Sequence, residues 1–435
     1  MNDKNEENSV PIYLRRSSAK EAIMVYGTKG AMQVDYEDRI DFTRMREYRE
    51  ARIQKFLEKT DFSCLILFAT ENKRYATSTA VASPEVDNMG RYAIVPRGGK
   101  PYIFGFGSEV ANERINCSWI ADRAYPAHTT MFGALPVSWG MNGGHLDKFE
   151  EDLRMVMEEN HLDPKAPIGV DKIDGQLMAE LMKRGYTLGD GEEVMCAARE
   201  IKNEDEIQIM MQAAASVDAA FYQMARALHP GVKENELQAA AAAELHRLGS
   251  QWIHNIQMTS GTRAHPHPHL SSDRVIQPGD MVFADICTLY NGYHTCYYRT
   301  ICCGKPSDQA RRVYDSAYQM LLAGIDKCRV GNTTADVVNA WPDCRHWGFK
   351  NQGESFGLAF AHGLGVCLWE RPMIERSFSL DHPVELKEGM VIAVETYDGE
   401  GHVGARIEDE VVITKDGPLV ISKFPKEELL ACPIL

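Results

Sequence analysis

The sequence has no long hydrophobic run. No apolar stretch approaches the roughly 18 residues that a membrane-spanning helix requires, so we expect no membrane span. The first sixteen residues, MNDKNEENSVPIYLRR, lack the apolar core of a secretory signal. We therefore expect a cytoplasmic protein.

The sequence also has fewer basic than acidic residues. The chain has 47 Lys and Arg residues against 62 Asp and Glu residues, which gives a net charge of −15. A nucleic-acid-binding protein needs a basic face, and attachment to an anionic membrane surface needs clustered basic residues. The composition therefore predicts neither nucleic acid nor membrane as a partner.

The eleven cysteines form no Cys-x-x-Cys pair, and their number is odd. In a chain of 435 residues without a secretory signal, this pattern indicates reduced thiols rather than a disulfide framework. Nothing in the composition requires a covalent staple, since 44% of the residues are hydrophobic and can supply a large core.

Short apolar runs punctuate the first half of the chain after a polar arm over residues 1–40. CLILFA, RYAIVP, YIFGF and IGVDKI have the length and composition of buried strands, and helix-like stretches separate them. Strands that alternate with helices predict an α/β domain. We place this N-terminal domain at residues 1–197.

The second half begins with two alanine-rich helices. Asn203 is a plausible N-cap for the first, and Gly249 is a plausible C-terminal stop for the second. Beyond Gly249, apolar strands alternate with glycine-rich turns. We place a second domain at residues 198–435, in agreement with a length that favours two domains over one.

Three histidines, His265, His267 and His269, occupy alternate positions and are separated by prolines. Proline excludes a helix here and favours an extended chain, in which alternate side chains point to one side. We expect at least one of these histidines to take part in a site. The alternative is a solvated polar loop.

One more histidine and two glutamates stand in apolar surroundings. His362 lies between an apolar run and a Gly-x-Gly turn, whereas Glu395 and Glu408 each interrupt an apolar strand. A buried carboxylate must be paired, protonated or bound to a metal ion. One imidazole with several carboxylates suits Mn, Fe, Co or Zn, and the alternative is a buried salt bridge, for example with Arg406.

This pattern resembles the pita-bread family of methionine aminopeptidase, Xaa-Pro aminopeptidase, prolidase and creatinase. The resemblance implies an α/β creatinase-like N-terminal domain and an α+β pita-bread C-terminal domain with a curved antiparallel sheet. The DddP-type dimethylsulfoniopropionate lyases of this fold are the most similar branch, because the likeness extends into the N-terminal half. The matching positions of the C-terminal half are Asp285, Gly292, Tyr293, Arg299, Thr300, His362, Gly363, Gly365, Glu370, Pro372, Glu395, Arg406, Glu408 and Asp409.

Two cysteines stand where the family has metal-binding oxygens. Cys296 occupies the position of the aspartate that bridges two metals, and Cys287 follows Asp285 where the lyases have Asp-x-Asp. A thiolate binds Zn or Fe but favours softer ions. We therefore predict one divalent transition metal (Zn, Fe or Mn), or none, with Asp285, Cys296, His362, Glu395 and Glu408 as ligands. Alternatively, the two cysteines are small core residues.

The residues that direct the reaction differ as well. Trp369 replaces a histidine that the peptidases use, and Leu368 replaces the aspartate base of the lyases. The resulting apolar wall suits a quaternary ammonium or sulfonium group through cation–π contacts. Arg91 resembles an arginine that reaches the neighbouring subunit in creatinase and binds the substrate carboxylate. That likeness implies a homodimer in which the partner's N-terminal domain lines the active site.

The leading hypothesis is a hydrolase that cleaves a C–N bond in a small zwitterionic carboxylate, with one metal ion or an acid/base histidine. The first alternative is a DddP-like C–S lyase that releases dimethyl sulfide. The second is an Xaa-Pro dipeptidase or aminopeptidase, or a binding protein without activity. We assign the catalytic groups to His269, Glu370 and Tyr293, and the substrate-binding groups to Arg91, Trp369, His267 and Arg406.

Overall fold

The computed structural model describes residues 40–80, 90–128, 144–266 and 269–433. The chain divides into two compact units, Met1–Ala198 and Arg199–Leu435. The prediction that each half folds as a separate domain stays a prediction. Among the described residues, no helix combines the length and the apolar character needed to cross a bilayer.

The N-terminal unit contains a six-stranded mixed sheet in the order β4-β3-β2-β1-β5-β6. The four apolar runs of the sequence form β1, β2, β3 and β5, and these strands are buried. The described elements are α1 (Phe42–Leu57), β1 (Cys64–Leu67), α2 (Thr70–Thr77), β2 (Tyr92–Pro96), β3 (Tyr102–Gly105), α3 (Val110–Asn116), β4 (Ala124–Pro126), α4 (His145–Glu159), β5 (Ile168–Val170), α5 (Gly175–Lys183), β6 (Leu188–Asp190) and α6 (Gly191–Arg199). The predicted α/β architecture is confirmed.

The C-terminal unit opens with the two predicted helices. Asn203 caps the first through a capping box with Glu206, and Gly249 follows the second with a φ of 94°. The elements are α7 (Glu204–Ala227), α8 (Glu234–Arg247), β7 (Trp252–Ser260), β8 (Met281–Tyr290), β9 (Tyr293–Cys303), α9 (Asp308–Lys327), α10 (Thr334–Asn339), β10 (Ala359–Gly363), β11 (Glu370–Ile374), α11 (Arg376–Ser379), β12 (Val391–Glu400), β13 (Val403–Thr414), β14 (Gly417–Val420) and β15 (Leu430–Cys432).

These strands form two hydrogen-bonded sheets, ordered β15-β9-β8-β7 and β11-β10-β12-β13-β14, and all pairings except β15–β9 are antiparallel. Helices α7 and α8 share a hydrophobic core with the first sheet, and α9 and α10 share one with the second. The strands that carry the predicted site residues, β8, β9, β10, β12 and β13, are thus supported by helices packed against their sheets.

Candidate metal centre

Strand register brings the predicted ligands together. Glu395 on β12 lies directly opposite Glu408 on β13. In the other sheet, β8 and β9 are joined by the two-residue turn Asn291–Gly292, in which both residues have a positive φ, 47° and 80°. Such a turn fixes the register of a hairpin. The register places Cys287 directly opposite Cys296.

Glu408 is a fully buried carboxylate with no donor to satisfy it. Its exposure is 0%, and neither of its oxygens accepts a hydrogen bond from any group in the described part of the chain. Burial, followed by the negative charges of Glu395 and Asp285, raises the pKa of Glu408 well above its usual range. An unpartnered buried carboxylate of this kind requires a proton or a bound cation.

His362 offers the nitrogen that a cation next to Glu408 would need. Its Nδ1 lies 2.9 Å from the carbonyl oxygen of Gly363, so Nδ1 carries the hydrogen and Nε2 has the lone pair. Nε2 lies 3.8 Å from Oε1 of Glu408. Burial lowers the pKa of His362 to about 4, which keeps the ring neutral, as a metal ligand must be.

Glu395 is paired with Arg406. The Nε and Nη2 atoms of this guanidinium lie 2.8 and 2.7 Å from Oε2 of Glu395. Burial raises the pKa of Glu395 to about 7, against the attraction of Arg406. The guanidinium also donates to the carbonyl oxygen of Gly357 and lies over the Tyr298 ring, 4.8 Å from its centroid. The salt bridge considered as an alternative is thus present, although both residues also line the cavity described below.

The two thiols and Asp285 form a tight triangle. Sγ of Cys287 lies 2.9 Å from Sγ of Cys296, and the two sulfurs lie 3.1 and 3.2 Å from the oxygens of Asp285. Cys296 also belongs to a second potential ligand group, since the ligand atoms of Cys296, His362 and Glu408 all lie within 4.8 Å of one another. Cys296 therefore joins two groups of metal-binding atoms.

A cavity of about 320 Å³ is lined by Asp285, Cys287, Cys296, His362 and Glu395, whereas Glu408, which lies beside His362, is not itself part of the lining. Trp369, which is 49% exposed, stacks on His362 with ring centroids 5.2 Å apart. The imidazole of His269 lies 2.7 Å from the amide oxygen of Gln257, and burial, with the charge of Arg406, lowers its pKa. The lining residues are His254, Asn255, Gln257, His269, Asp285, Cys287, Cys296, Tyr298, Phe356, Gly357, Phe360, His362, Leu368, Trp369, Glu395 and Arg406.

The polar residues that β7 contributes to this lining were not predicted from the sequence. His254, Asn255 and Gln257 interrupt an otherwise apolar strand next to β8, and that interruption was the available signal. Phe356 and Phe360 gave no local signal, because an apolar side chain in a cavity wall has the same sequence pattern as one in the core.

Two of the predicted catalytic residues lie elsewhere. Glu370 is buried and pairs with Lys202 at 2.7 Å and with Arg199 at 3.2 Å. Although burial opposes it, these two cations lower the pKa of Glu370. The hydroxyl of Tyr293, which is fully buried, donates to Glu206 over 2.6 Å. Neither residue lines the cavity, and these contacts are typical of structural residues. The catalytic roles predicted for Glu370 and Tyr293 stay predictions.

Two predicted substrate-binding residues, Arg91 and His267, remain. Arg91 belongs to the N-terminal unit and binds Glu113 over 2.6 Å and also Glu109. His267 lies outside the described residues. The substrate-binding roles of Arg91 and His267 stay predictions.

Comparison with known proteins identifies related sequences. The model of metallopeptidase family M24 matches residues 208–415. An Xaa-Pro dipeptidase of Pyrococcus furiosus is 30% identical over 242 residues, which are 55% of this chain and 67% of that protein. A dimethylsulfoniopropionate lyase, DddP of Roseovarius nubinhibens, is 26% identical over 416 residues, 90% of this chain and 88% of the lyase. Bacterial peptidases with 31–32% identity are matched over only 63–65% of their own length.

The fold has solved counterparts. The crystal structure of dipeptidase PepE from Mycobacterium ulcerans superposes with a TM-score of 0.70 at 23% identity, covering 91% of this chain and 100% of that one. At this identity the likeness concerns the fold, and it confirms the fold predicted from the sequence.

Proposed function

Because the chain belongs to metallopeptidase family M24 and is an enzyme of that superfamily, we propose that it hydrolyses a C–N bond in a small zwitterionic substrate. The observation that carries this proposal is the fully buried, unpartnered carboxylate of Glu408 beside the neutral ring of His362. These two groups fit a divalent cation, and enzymes of this family typically use divalent metals.

His362 and Glu408 would hold the catalytic ion through Nε2 and a carboxylate oxygen. Such an ion lowers the pKa of a bound water and polarises a carbonyl group. Arg406 fixes Glu395 at the cavity wall through a hydrogen bond from Nε and an ion-pair contact from Nη2 to the same oxygen. This ion pair holds the Glu395 carboxylate in one orientation, whereas a glutamate in contact with solvent alone would change its rotamer.

His269 is our candidate for proton transfer. Its lowered pKa keeps the imidazole neutral near pH 7, and the contact of Nδ1 with the amide oxygen of Gln257 selects the tautomer with a basic Nε2. Trp369, which is 49% exposed, presents its aromatic ring in the same cavity. This ring suits the cationic end of a zwitterion.

A C–S lyase is the second candidate. It is supported by the likeness to the dimethylsulfoniopropionate lyase, which extends over 90% of this chain. Leu368 lines the cavity where the sequence comparison expected a lyase base, and an aliphatic side chain cannot remove a proton. In this candidate, His269 would have to act as the base.

Elemental analysis combined with a substrate panel tests the proposal. The purified protein should bind a divalent ion that Glu408→Gln loses and that the surface variant Glu388→Gln keeps. It should also hydrolyse a member of a panel of N-substituted amino acids. Rapid cleavage of Xaa-Pro dipeptides would instead indicate a dipeptidase, release of dimethyl sulfide would indicate the lyase, and a protein without ion or activity would be a binding protein.

We also propose a cytoplasmic homodimer in which Arg91 of one chain serves the active site of its partner. Mixing Arg91→Ala with Glu408→Gln tests the shared site, since mixed dimers would contain one intact site. Recovery of activity on mixing supports the proposal. A monomer in light scattering, or no recovery from a mixed dimer, contradicts it.

A further inference from the structure

We infer that Asp285, Cys287 and Cys296 form a second, sulfur-rich metal position that takes a thiophilic divalent ion, with zinc preferred over manganese. This inference rests on the proposed function only in assuming that a metal centre exists here. It names a ligand set of two sulfurs and one carboxylate oxygen, next to the position at His362 and Glu408. The two positions share Cys296.

The geometry of the three ligand atoms supports this position. The two sulfurs lie 2.9 Å apart, Sγ of Cys287 lies 3.1 Å from Oδ2 of Asp285, and Sγ of Cys296 lies 3.2 Å from Oδ1 of the same carboxylate. Zinc with bonds of about 2.3 Å to sulfur and about 2.1 Å to oxygen would separate tetrahedral ligands by roughly 3.6–3.8 Å. The triangle would thus open by less than about 1 Å, which side-chain rotation can supply.

Strand register makes the pair of sulfurs a fixed feature. Cys287 and Cys296 face each other across β8 and β9, and the backbone N–H of Cys296 donates to Oε1 of Glu410 over 2.6 Å instead of to β8. The two cysteines therefore occupy a non-hydrogen-bonded pair, where side chains approach most closely. The Asn291–Gly292 turn holds this register.

Access from the cavity distinguishes these thiols from the other buried cysteines that the structure describes. Both line the cavity, so an ion can reach them, and both face a carboxylate. Cys328, in contrast, is buried in a hydrophobic core at the end of α9, where its thiol donates to the carbonyl oxygen of Gly324. Two thiolates with one carboxylate favour zinc or cobalt, whereas manganese prefers oxygen ligands.

Titration of the reduced, metal-free protein with Co²⁺ tests the inference. Thiolate ligation produces a sulfur-to-cobalt charge-transfer band in the near ultraviolet. We expect this band in the wild type and in Cys328→Ser, and its loss or strong reduction in Cys287→Ser. Zn²⁺ should abolish the band by displacement, and an equal concentration of Mn²⁺ should leave it.

A second variant guards against misfolding. Cys287→Asp replaces one sulfur with oxygen, so the folded protein should keep a metal ion but bind Mn²⁺ at least tenfold more tightly than the wild type does. Circular dichroism confirms folding in each case.

The results separate this inference from the proposed function. Glu408→Gln should keep the charge-transfer band, because the sulfur position does not use Glu408. Stoichiometric Co²⁺ binding without the band overturns the sulfur position and leaves the proposed function standing. If the band appears but Glu408→Gln removes no bound ion, the proposed function is overturned and the sulfur position stands. A band of undiminished intensity in Cys287→Ser also overturns the inference, since Cys296 alone would then account for it. So does a count of two thiols fewer than the eleven cysteines in protein unfolded without reductant, because a disulfide leaves no thiolates to bind the ion.

Discussion

Glu370 and Glu408 are both buried glutamates on strands of the C-terminal unit, with exposures of 5% and 0%, but their surroundings are opposite. Glu370 has two cations within 3.2 Å and accepts the backbone N–H of Cys367. Glu408 has no donor among the described residues. The protein itself satisfies the first charge, and only a ligand or a proton can satisfy the second. Burial of a charge alone therefore does not identify an active site.

Removal of the Glu408 charge should have the largest effect on activity. Glu408→Gln keeps the shape of the side chain but weakens the ligand, so we expect a loss of at least about 10³-fold in kcat/KM, roughly 4 kcal/mol. The metal-free variant should be at least as stable as the wild type, because a buried charge is removed. Steady-state kinetics and urea unfolding measure the two effects. A destabilised, active variant would place Glu408 with Glu370 as a structural residue.

The reverse is expected for Glu370. Glu370→Gln removes a negative charge that lies beside the buried cations Lys202 and Arg199, which should lower the free energy of unfolding by on the order of 3 kcal/mol. The folded variant should keep its metal content and its KM. Urea unfolding and elemental analysis test this. Loss of the metal ion from a folded Glu370→Gln would return Glu370 to the active site.

Ligand binding offers a third way to test the comparison. Manganese at about 100 times its Kd should stabilise the wild type by about 2.7 kcal/mol, since the ion binds only the folded state. Glu370→Gln should gain the same amount, and Glu408→Gln should gain almost nothing. The shift in Tm on adding Mn²⁺ to the metal-free proteins measures this. Equal shifts in all three would show that manganese binds away from Glu408.

The part of the site that the sequence predicts is the part determined by local pattern. His362, Glu395 and Glu408 were visible because each polar residue interrupts an apolar strand. The partners of Glu370 were not visible, because Lys202 is 168 positions away in the chain and only the fold brings it near. A glutamate that is satisfied at long range and one that is not therefore have the same local pattern.

The cysteine pair shows the same limit. The substitution of Cys287 and Cys296 for oxygen ligands was visible in the sequence, and the Asn291–Gly292 turn indicates a hairpin. The closeness of the two sulfurs to each other and to Asp285 depends on the register and on side-chain rotamers together. The partner of Tyr293 was not visible for a related reason, since its hydroxyl donates to Glu206, which is distant in the sequence.

Glu410 lies two residues beyond Glu408 on β13. In its hydrogen bonding it is intermediate between Glu370 and Glu408. It accepts from Thr295 and from the backbone of Cys296, and burial raises its pKa to about 8. The unfolded chain releases the Glu410 proton from about pH 4.5 upward, whereas the folded protein keeps it until about pH 8. The contribution of Glu410 to the free energy of unfolding therefore falls as the pH rises between these values and is lowest above pH 8. Glu410→Gln should therefore gain on the order of 2 kcal/mol at pH 8 and almost nothing at pH 4.5.

Unfolding of the metal-free protein in urea at several pH values measures the effect. Glu388→Gln, on the surface, serves as the control and should show no such trend. A stability difference that does not change with pH would mean that Glu410 is ionised in the folded protein and resembles Glu370.

Trp369 should give the smallest effect, and it tests the cavity rather than its charges. Its ring stacks on His362 and is half exposed, so it contributes a surface for the substrate but no ligand atom. Trp369→Leu should raise KM for a cationic substrate about tenfold, or 1.4 kcal/mol, through the lost cation–π contact, while kcat and metal content change little. Trp369→Phe should restore most of the affinity. If the leucine variant instead lost the metal ion, Trp369 would act by holding His362 in place beside Glu408, and the aromatic wall would belong to the metal centre rather than to substrate recognition.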